Sequence, residues 1–243
     1  MKIITATYKD QHRLESWIPN IINRNIDYII YEKDDNLKLG ESLIIDKNNI
    51  KIPNYGRCDY AFLYHIVHNY DNLDDRNIFV KSHWADHRLD LYHVITNASN
   101  YDWMEPGTDR INQYWTTKHS ELIWPSEVLY NSKHLFAQTC YDWYFEIFPN
   151  IDPPDIVYGW GQFPCFSVSK RLIHRHPKEV YINLLNKFHV ESNSWDTVEA
   201  SKYFNTLEEQ IIDVGKHYHD HFGRFYQLLF THNLNDESFI IHK

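Results

Sequence analysis

A chain of 243 residues, 43% of them hydrophobic, has material for one large domain or two small ones, with a sizeable core. Its formal charge of −9 and its lack of any Lys/Arg block exclude extended nucleic-acid binding, which needs a basic face to displace counterions from phosphates. Cys58, Cys140 and Cys165 are odd in number and widely spaced, which excludes a disulfide framework and a zinc knuckle and points to a reducing compartment.

The first segment, "KIITATY" (2–8), is a β-branched run with a polar end and predicts a buried strand. The apolar run at this N-terminus is too short for a signal peptide. "HRLESWIPNII" follows with Leu14, Trp17, Ile18 and Ile21 at helical spacing, and Pro19 is expected to kink or shorten that helix. "IDYIIYEK" (26–33) predicts a second strand. This strand–helix–strand opening suggests a parallel α/β sheet. "ESLIID" and "IKIPN", separated by "KNN", predict a small hairpin or a loop. "YGRCDYAFLYHIVHNYD" (55–71) carries the best helix signal, with Leu63, Ile66, Val67 and Tyr70 on one stripe and Phe62 extending it. "NIFVKSH" reads as the third buried strand and "HRLDLYHVITNA" as the next helix.

Residues 100–125 are irregular and aromatic-rich, and a loop of that length inside a domain is commonly functional. "PSEVLYNSKHLFAQTCYDWYFEIF" is helical in pattern. "DPPDIVYGWGQFPCFSVS" reads as a loop and then a strand, "KRLIHRHPKEVYINLLNKF" as two short helices divided near Pro177, and 206–230 as a last long helix. No stretch approaches the roughly 18–20 apolar residues of a membrane span, so a soluble, cytoplasmic protein is expected. The expected architecture is one α/β domain: a central, mostly parallel sheet flanked by helices, with a helix-rich C-terminal half.

In an open parallel sheet, ligands gather outside the carboxyl ends of the strands. That rule selects residues 5–10, among them Thr7 and Tyr8, then residues 32–35, among them Glu32 and Asp34, after the second strand, and residues 81–87, beginning with Lys81, after the third. Backbone N–H groups near Gly56 and the side chain of Arg57 could meet a diphosphate, and Asp59 could accept from a ribose or base. His83 and His87 lie four apart with Asp86 between them, so a His–Asp–His metal site is one reading; a helix start with solvated histidines is the other. "HYHDH" (217–221) reads as a solvated helix face. The chain contains no G-x-S-x-G elbow, no P-loop and no G-x-G-x-x-G. "YGWGQF", holding Trp160 and Gln162 between and after its glycines, suits close backbone approach to a ligand or a tight bend. The aromatic 16% of the chain fills core first, but Trp103 and Trp115 in the irregular stretch also offer stacking surfaces for an acceptor sugar.

Three segments, "IPNYGRCDYAFLYHIVHNYDNLDDRNIFVKSH", "GQFPCFSVSKRLIHRHPKEVYINLL" and "FGRFYQLLF", together resemble a glycosyltransferase-like family of unknown function with fungal, algal and large-DNA-virus members. They cover about a third of the chain. The resemblance implies a GT-A-like fold, in which residues 1–100 form the donor nucleotide-binding half and 101–243 the acceptor side. It implies a nucleotide-sugar donor, a glycan or protein acceptor, and donor-side roles for Asn54, Gly56 and Arg57, with Gln162 and Arg224 matching later segments. Such folds carry Asp-x-Asp, which holds a divalent cation (Mn or Mg), where this chain has "VKSHWADH". Here either His83 or Asp86 gives a poorer metal site, or Lys81 and Arg57 neutralise the phosphates. Asp86 is the first candidate for the general base, with Glu208 and Glu209 as rivals; Gly223 replaces the family's C-terminal Glu. A catalytically inactive nucleotide- or sugar-binding module and a metal-dependent hydrolase using His83, Asp86 and His87 are the alternatives. The expectation that decides among them is that Tyr8, Asp34, Arg57 and Lys81 surround one crevice.

Overall fold

The computed structural model describes residues 1–54, 57–82, 91–105, 114–116, 149, 156–158, 165–194, 226, 229–230 and 239–241. The strands are β1 (Lys2–Thr7), β2 (Asp27–Asp34), β3 (Leu43–Ile44), β4 (Asn49–Pro53), β5 (Arg76–Lys81), β6 (Trp103–Glu105), β7 (Tyr114–Thr116), β8 (Ile156–Tyr158), β9 (Phe166–Ser169) and β10 (Phe239–Ile241). The helices are α1 (Ile18–Asn23), α2 (Arg57–Asn69), α3 (Leu91–Asn97), α4 (Lys170–Ile173) and α5 (Lys178–Ser194).

The chain divides into two compact units. One comprises Met1–Pro106, Pro164–Val190 and Glu237–His242; the other comprises Gly107–Phe163, Glu191–Asp236 and Lys243. The first unit therefore draws on both the 1–100 and the 101–243 stretches. Its sheet has the order β10-β6-β9-β5-β1-β2-β4-β3. The run β4-β2-β1-β5 is parallel throughout, as is β10 with β6. Strands β9 and β3 run against their neighbours. This is the mostly parallel α/β sheet that the sequence predicts.

In the second unit β7 pairs antiparallel with β8, placing Trp115 opposite Val157. Tyr226, Leu229 and Phe230 are buried, and the Tyr226 and Phe230 rings lie parallel, 6.1 Å apart.

Burial explains why the central strands read as unbroken apolar runs. Residues 3–7 of β1 and 77–80 of β5 are all buried, which is the pattern of parallel strands covered on both faces. Register places Ile4, Phe79 and Phe166 in one row across the sheet, on the face that also carries Tyr31 and Trp103. Helix α2 packs there. The Phe62 ring lies 5.1 Å from Phe79, Phe79 lies 5.0 Å from Phe166, and Phe166 stacks on Trp103 at 4.9 Å.

Trp103, read from sequence as a stacking surface in a loop, is instead a strand residue 1% exposed in this aromatic column. A packed core ring offers no face to a sugar. Pro19 also behaves differently from expectation. It sits in the first turn of α1, where a missing N–H costs nothing, so it begins that helix; residues 11–16 before it form a separate 3-10 turn. Pro177 divides α4 from α5 as expected, and the Ser169 side chain caps α4 by accepting from the Leu172 N–H at 3.1 Å.

Beneath α2 lies a buried polar pair. The Tyr31 hydroxyl donates to His65 Nδ1 at 2.9 Å, and the Asn69 amide nitrogen approaches the same ring nitrogen at 3.4 Å. Both partners are donors, so Nδ1 accepts and the neutral ring carries its proton on Nε2. Burial holds the His65 pKa down to about 3 from its ordinary 6.5.

Two stability predictions follow from this core. Replacing Phe79 with Ala removes a fully buried ring from the column and should cost about 3–5 kcal/mol in chemical denaturation. His65 takes up its proton in the unfolded chain near pH 6.5 but in the folded chain only near 3. Its contribution is therefore complete above pH 6.5 and is lost as pH falls toward 3, with a slope of up to about 1.4 kcal/mol per pH unit. A His65→Gln variant should lose that slope in denaturation measured across the window.

Candidate functional site

From β1 the chain moves outward to β2 and then to β4. It then returns through α2 to β5, on the opposite side of β1. The gap between β1 and β5 is thus the topological switch point, and the space above the carboxyl ends of these two strands is where an open α/β sheet takes a ligand. Strand β1 ends at Thr7 and β5 at Lys81, with Ala6 as the register partner of Lys81.

Asp10 bridges this gap. One carboxylate oxygen accepts the Thr7 hydroxyl and the Tyr8 N–H, the latter at 2.8 Å; the other accepts the Ser82 hydroxyl. Thr7 is 2% and Ser82 3% exposed, so both hydroxyls depend on this acceptor. The Trp17 indole N–H closes the same corner from below, donating to the Ser82 carbonyl at 3.0 Å. Asp10 lies within the 5–10 stretch that the carboxyl-end rule selects. Its partner Ser82 follows a different strand, a pairing that no local spacing announces.

A second cluster joins the loops after β1, β2 and β4. The Tyr8 hydroxyl donates to Asp35 Oδ2 at 2.8 Å, Lys9 Nζ stands 3.2 Å from the same oxygen, and the Asn54 amide donates to Asp35 Oδ1 at 2.7 Å. The Asn54 amide first, then the Tyr8 hydroxyl and Lys9, hold the Asp35 carboxyl below its usual range, so it stays ionised at neutral pH. Lys9 adopts a left-handed φ of 56° and lays its ammonium over the Tyr8 ring, 4.6 Å from the centroid.

Asp34, expected beside Tyr8, belongs to a different set. Strand alternation sends it to the same face as Glu32. There Lys51 Nζ lies 3.3 Å from Asp34 and 3.7 Å from Glu32, while the Asn36 N–H and side chain both bind Asp34 at 2.9 Å. Asp35 is thus the acid that meets Tyr8.

Lys33 alternates to the opposite face, beside Ile52 in register, and is 6% exposed. A lysine buried at the end of a strand was not singled out from sequence. Asp59 is 2% exposed in the first turn of α2, a position where the helix dipole favours an acid. Arg57 opens α2, and Lys81 is half-buried at the end of β5. The structure thus brings Thr7, Tyr8, Glu32, Asp34, Asn54 and Lys81, with the start of α2, to the carboxyl edge of one sheet.

Gly56, His83, Asp86, His87, Trp160, Gln162, Glu208 and Glu209 lie outside the described residues. Among the described residues, no group of three His, Cys, Asp or Glu side chains is placed to hold a metal ion, and β5 ends at Lys81, with Ser82 next. No helix of the described residues is long and apolar enough to cross a membrane.

The fold and this edge define an α/β protein with lysines, hydrogen-bonded carboxylates, and hydroxyl and amide groups along the carboxyl edge of its sheet. The chain belongs to the family described as "Protein of unknown function (DUF3431)", whose model matches residues 3–217. Comparison with the curated proteins and with the solved structures returns no match.

Replacing Asp10 with Ala strands two buried hydroxyls and should lower stability by about 1–3 kcal/mol. The Asp10→Ala/Ser82→Ala double variant should cost less than the two single variants added together, because each single change already breaks the shared bond. Urea denaturation of the four proteins reads both effects.

Proposed function

We propose that this chain is a glycosyltransferase that moves a sugar from a nucleoside-diphosphate donor to a glycan or protein hydroxyl. The observation that carries this reading is the convergence of the loops after β1, β2 and β4 at the edge that also holds the end of β5. Donor-binding roles then fall to Tyr8, Asp35 and Asn54 toward the nucleoside, with Lys81 and Arg57 toward the diphosphate.

The chemistry needs charge stabilisation where the sugar–phosphate bond breaks. Negative charge grows on the departing diphosphate, and a cation aimed there lowers the barrier more than the ground state. Lys81 is the cation at the strand end where the resembled fold carries its acid pair. An acid pair would hold a metal between itself and the diphosphate; an ammonium meets the phosphate directly. The second arrangement fits a strand that ends in Lys81, so the diphosphate roles fall to Lys81 and Arg57 in this reading. An inverting transfer also needs a base within hydrogen-bond reach of the acceptor hydroxyl, and Asp86, shortly after Lys81 in the chain, is the residue proposed for it.

The lack of acids at the end of β5 among the described residues favours one second reading, a module that binds the nucleotide sugar without turning it over. Thermal shift with UDP, GDP and their sugars, each with and without Mn²⁺, tests the binding claim. A ligand at a hundred times its Kd should stabilise the fold by about 2.7 kcal/mol. Lys81→Ala should weaken binding of the active nucleotide at least about tenfold. Slow hydrolysis of the bound donor supports the transferase, and binding without hydrolysis or transfer supports the module. A full panel with no shift contradicts both readings, and tight zinc binding without nucleotide affinity points to a hydrolase.

A further inference from the structure

Asp10 immediately precedes the 3-10 turn of residues 11–16, the position from which an aspartate ordinarily caps the turn that follows. Its side chain makes no such bond. The Arg13 N–H donates to the Asp10 carbonyl at 2.9 Å instead. The carboxylate turns back to Thr7 and Tyr8 and across to Ser82, 72 residues away in sequence. Trp17 stands at the other end of the same turn, 2% exposed, and its indole N–H donates to the Ser82 carbonyl. The residue just past the end of β5 is therefore held at both its hydroxyl and its carbonyl. The two residues that hold it bracket a single turn.

Satisfying buried polar groups accounts for part of this, since Ser82 is buried and its hydroxyl and carbonyl need partners. It does not account for the place. A strand has no ladder beyond its last pair, and its end opens more readily than its middle. Lys81 is that last residue of β5, half-buried and the register partner of Ala6. On one side of it the ladder with β1 fixes the backbone. On the other side Ser82 is clamped by the connection that leaves β1, across the switch point. The backbone that carries the Lys81 side chain is thus fixed from both directions. An ammonium on a flexible four-carbon stem gains most from such an anchor, because a small misplacement of a charged group weakens what it can do for a ligand.

We infer that Asp10 and Trp17 are positioning residues for Lys81: their joint hold on Ser82 aims the Lys81 ammonium at the diphosphate of a bound nucleotide. The inference rests on the diphosphate role proposed for Lys81 and adds the residues that make that role possible. Neither Asp10 nor Trp17 needs to touch the ligand, since each acts through the backbone of residues 81–82. A merely structural tie lowers the melting temperature and leaves the affinity of the folded protein unchanged. A positioning tie lowers affinity, and does so only while Lys81 is there to be positioned.

Calorimetric titration of the full chain with UDP, GDP and inorganic pyrophosphate tests this, at a temperature where circular dichroism shows each variant folded. Asp10→Ala should weaken binding of the probe that the wild-type chain takes by about fivefold or more. In a Lys81→Ala background the same change should alter affinity by less than about twofold. Trp17→Phe keeps a ring and removes the N–H, and should show the same dependence on Lys81. Asp10→Asn should restore most of the affinity, because its amide oxygen accepts from Thr7 and Tyr8 while its nitrogen donates to the Ser82 hydroxyl. Where Asp10→Ala does not fold, Ser82→Ala carries the same comparison, since it removes only the clamped hydroxyl. Equal losses with and without Lys81, or no loss on breaking either bond, overturn this inference and leave the diphosphate reading standing. So does an Asp10→Asn variant as weak as Asp10→Ala, which would make the carboxylate's charge, not its hold on Ser82, the source of the effect. A wild-type chain that binds none of these probes ends both.

Discussion

Strand β1 lies between β2 and β5, and the chain reaches those two neighbours by leaving in opposite directions. A right-twisted strand feeding a helix packs back on its sheet with one hand, so α1 and α2 are sent to opposite faces. Above the carboxyl ends of β1 and β5 the two connections part, and no sheet backbone fills the space between them. Two polar clusters of the first unit lie at this edge. Asp10 crosses the opening, Lys81 and Ser82 stand at one wall, and Tyr8 leads to the neighbouring cluster on Asp35 and Asn54.

The interactions at this edge differ in worth. Around Asp35 the partners are exposed, with Lys9 at 71% and Asp35 at 51%, so solvent screens their attraction and the cluster adds little to stability. Its value is orientation, since it fixes where a phenol ring, an amide and a carboxylate point. The Asp10 bridge is different, because it satisfies two buried hydroxyls that have lost water. Below both, the column of Phe62, Phe79, Phe166 and Trp103 packs α2 onto the face shared by β5, β9 and β6. Rigid strands under a polar rim are what a site needs if its donors are to be in place before a ligand arrives.

The parts of the fold that were legible in the sequence are those that carry their own period. β1, β2 and β5 stand out as β-branched or apolar runs, and α2 as a helical stripe. β6 is hidden in a stretch that looks irregular in sequence, because three residues carry no detectable periodicity. The short "IKIP" segment suggested a hairpin, and β4 does pair with β3; its parallel pairing with β2 depends on contacts distant in sequence. The same limit applied to β9, recognisable as a strand but not as the antiparallel insert between β5 and β6. At the site, the carboxyl-end rule picks loops that the structure places along one edge of the sheet. It could not choose between Asp34 and Asp35, adjacent acids that strand alternation turns in different directions, nor see that Asp10 and Ser82 meet. The burial of Lys33 is a tertiary fact with no local signal in the sequence.

Hydrogen exchange at backbone amides, with and without saturating UDP or GDP, tests the central claim that the β1/β5 opening receives a nucleoside diphosphate. The account predicts slowed exchange at residues 8–10, 35, 54 and 57–60 and just after 81, with the far edge at β3 unchanged. Protection confined to residues beyond 100, or no protection with either nucleotide, would contradict it.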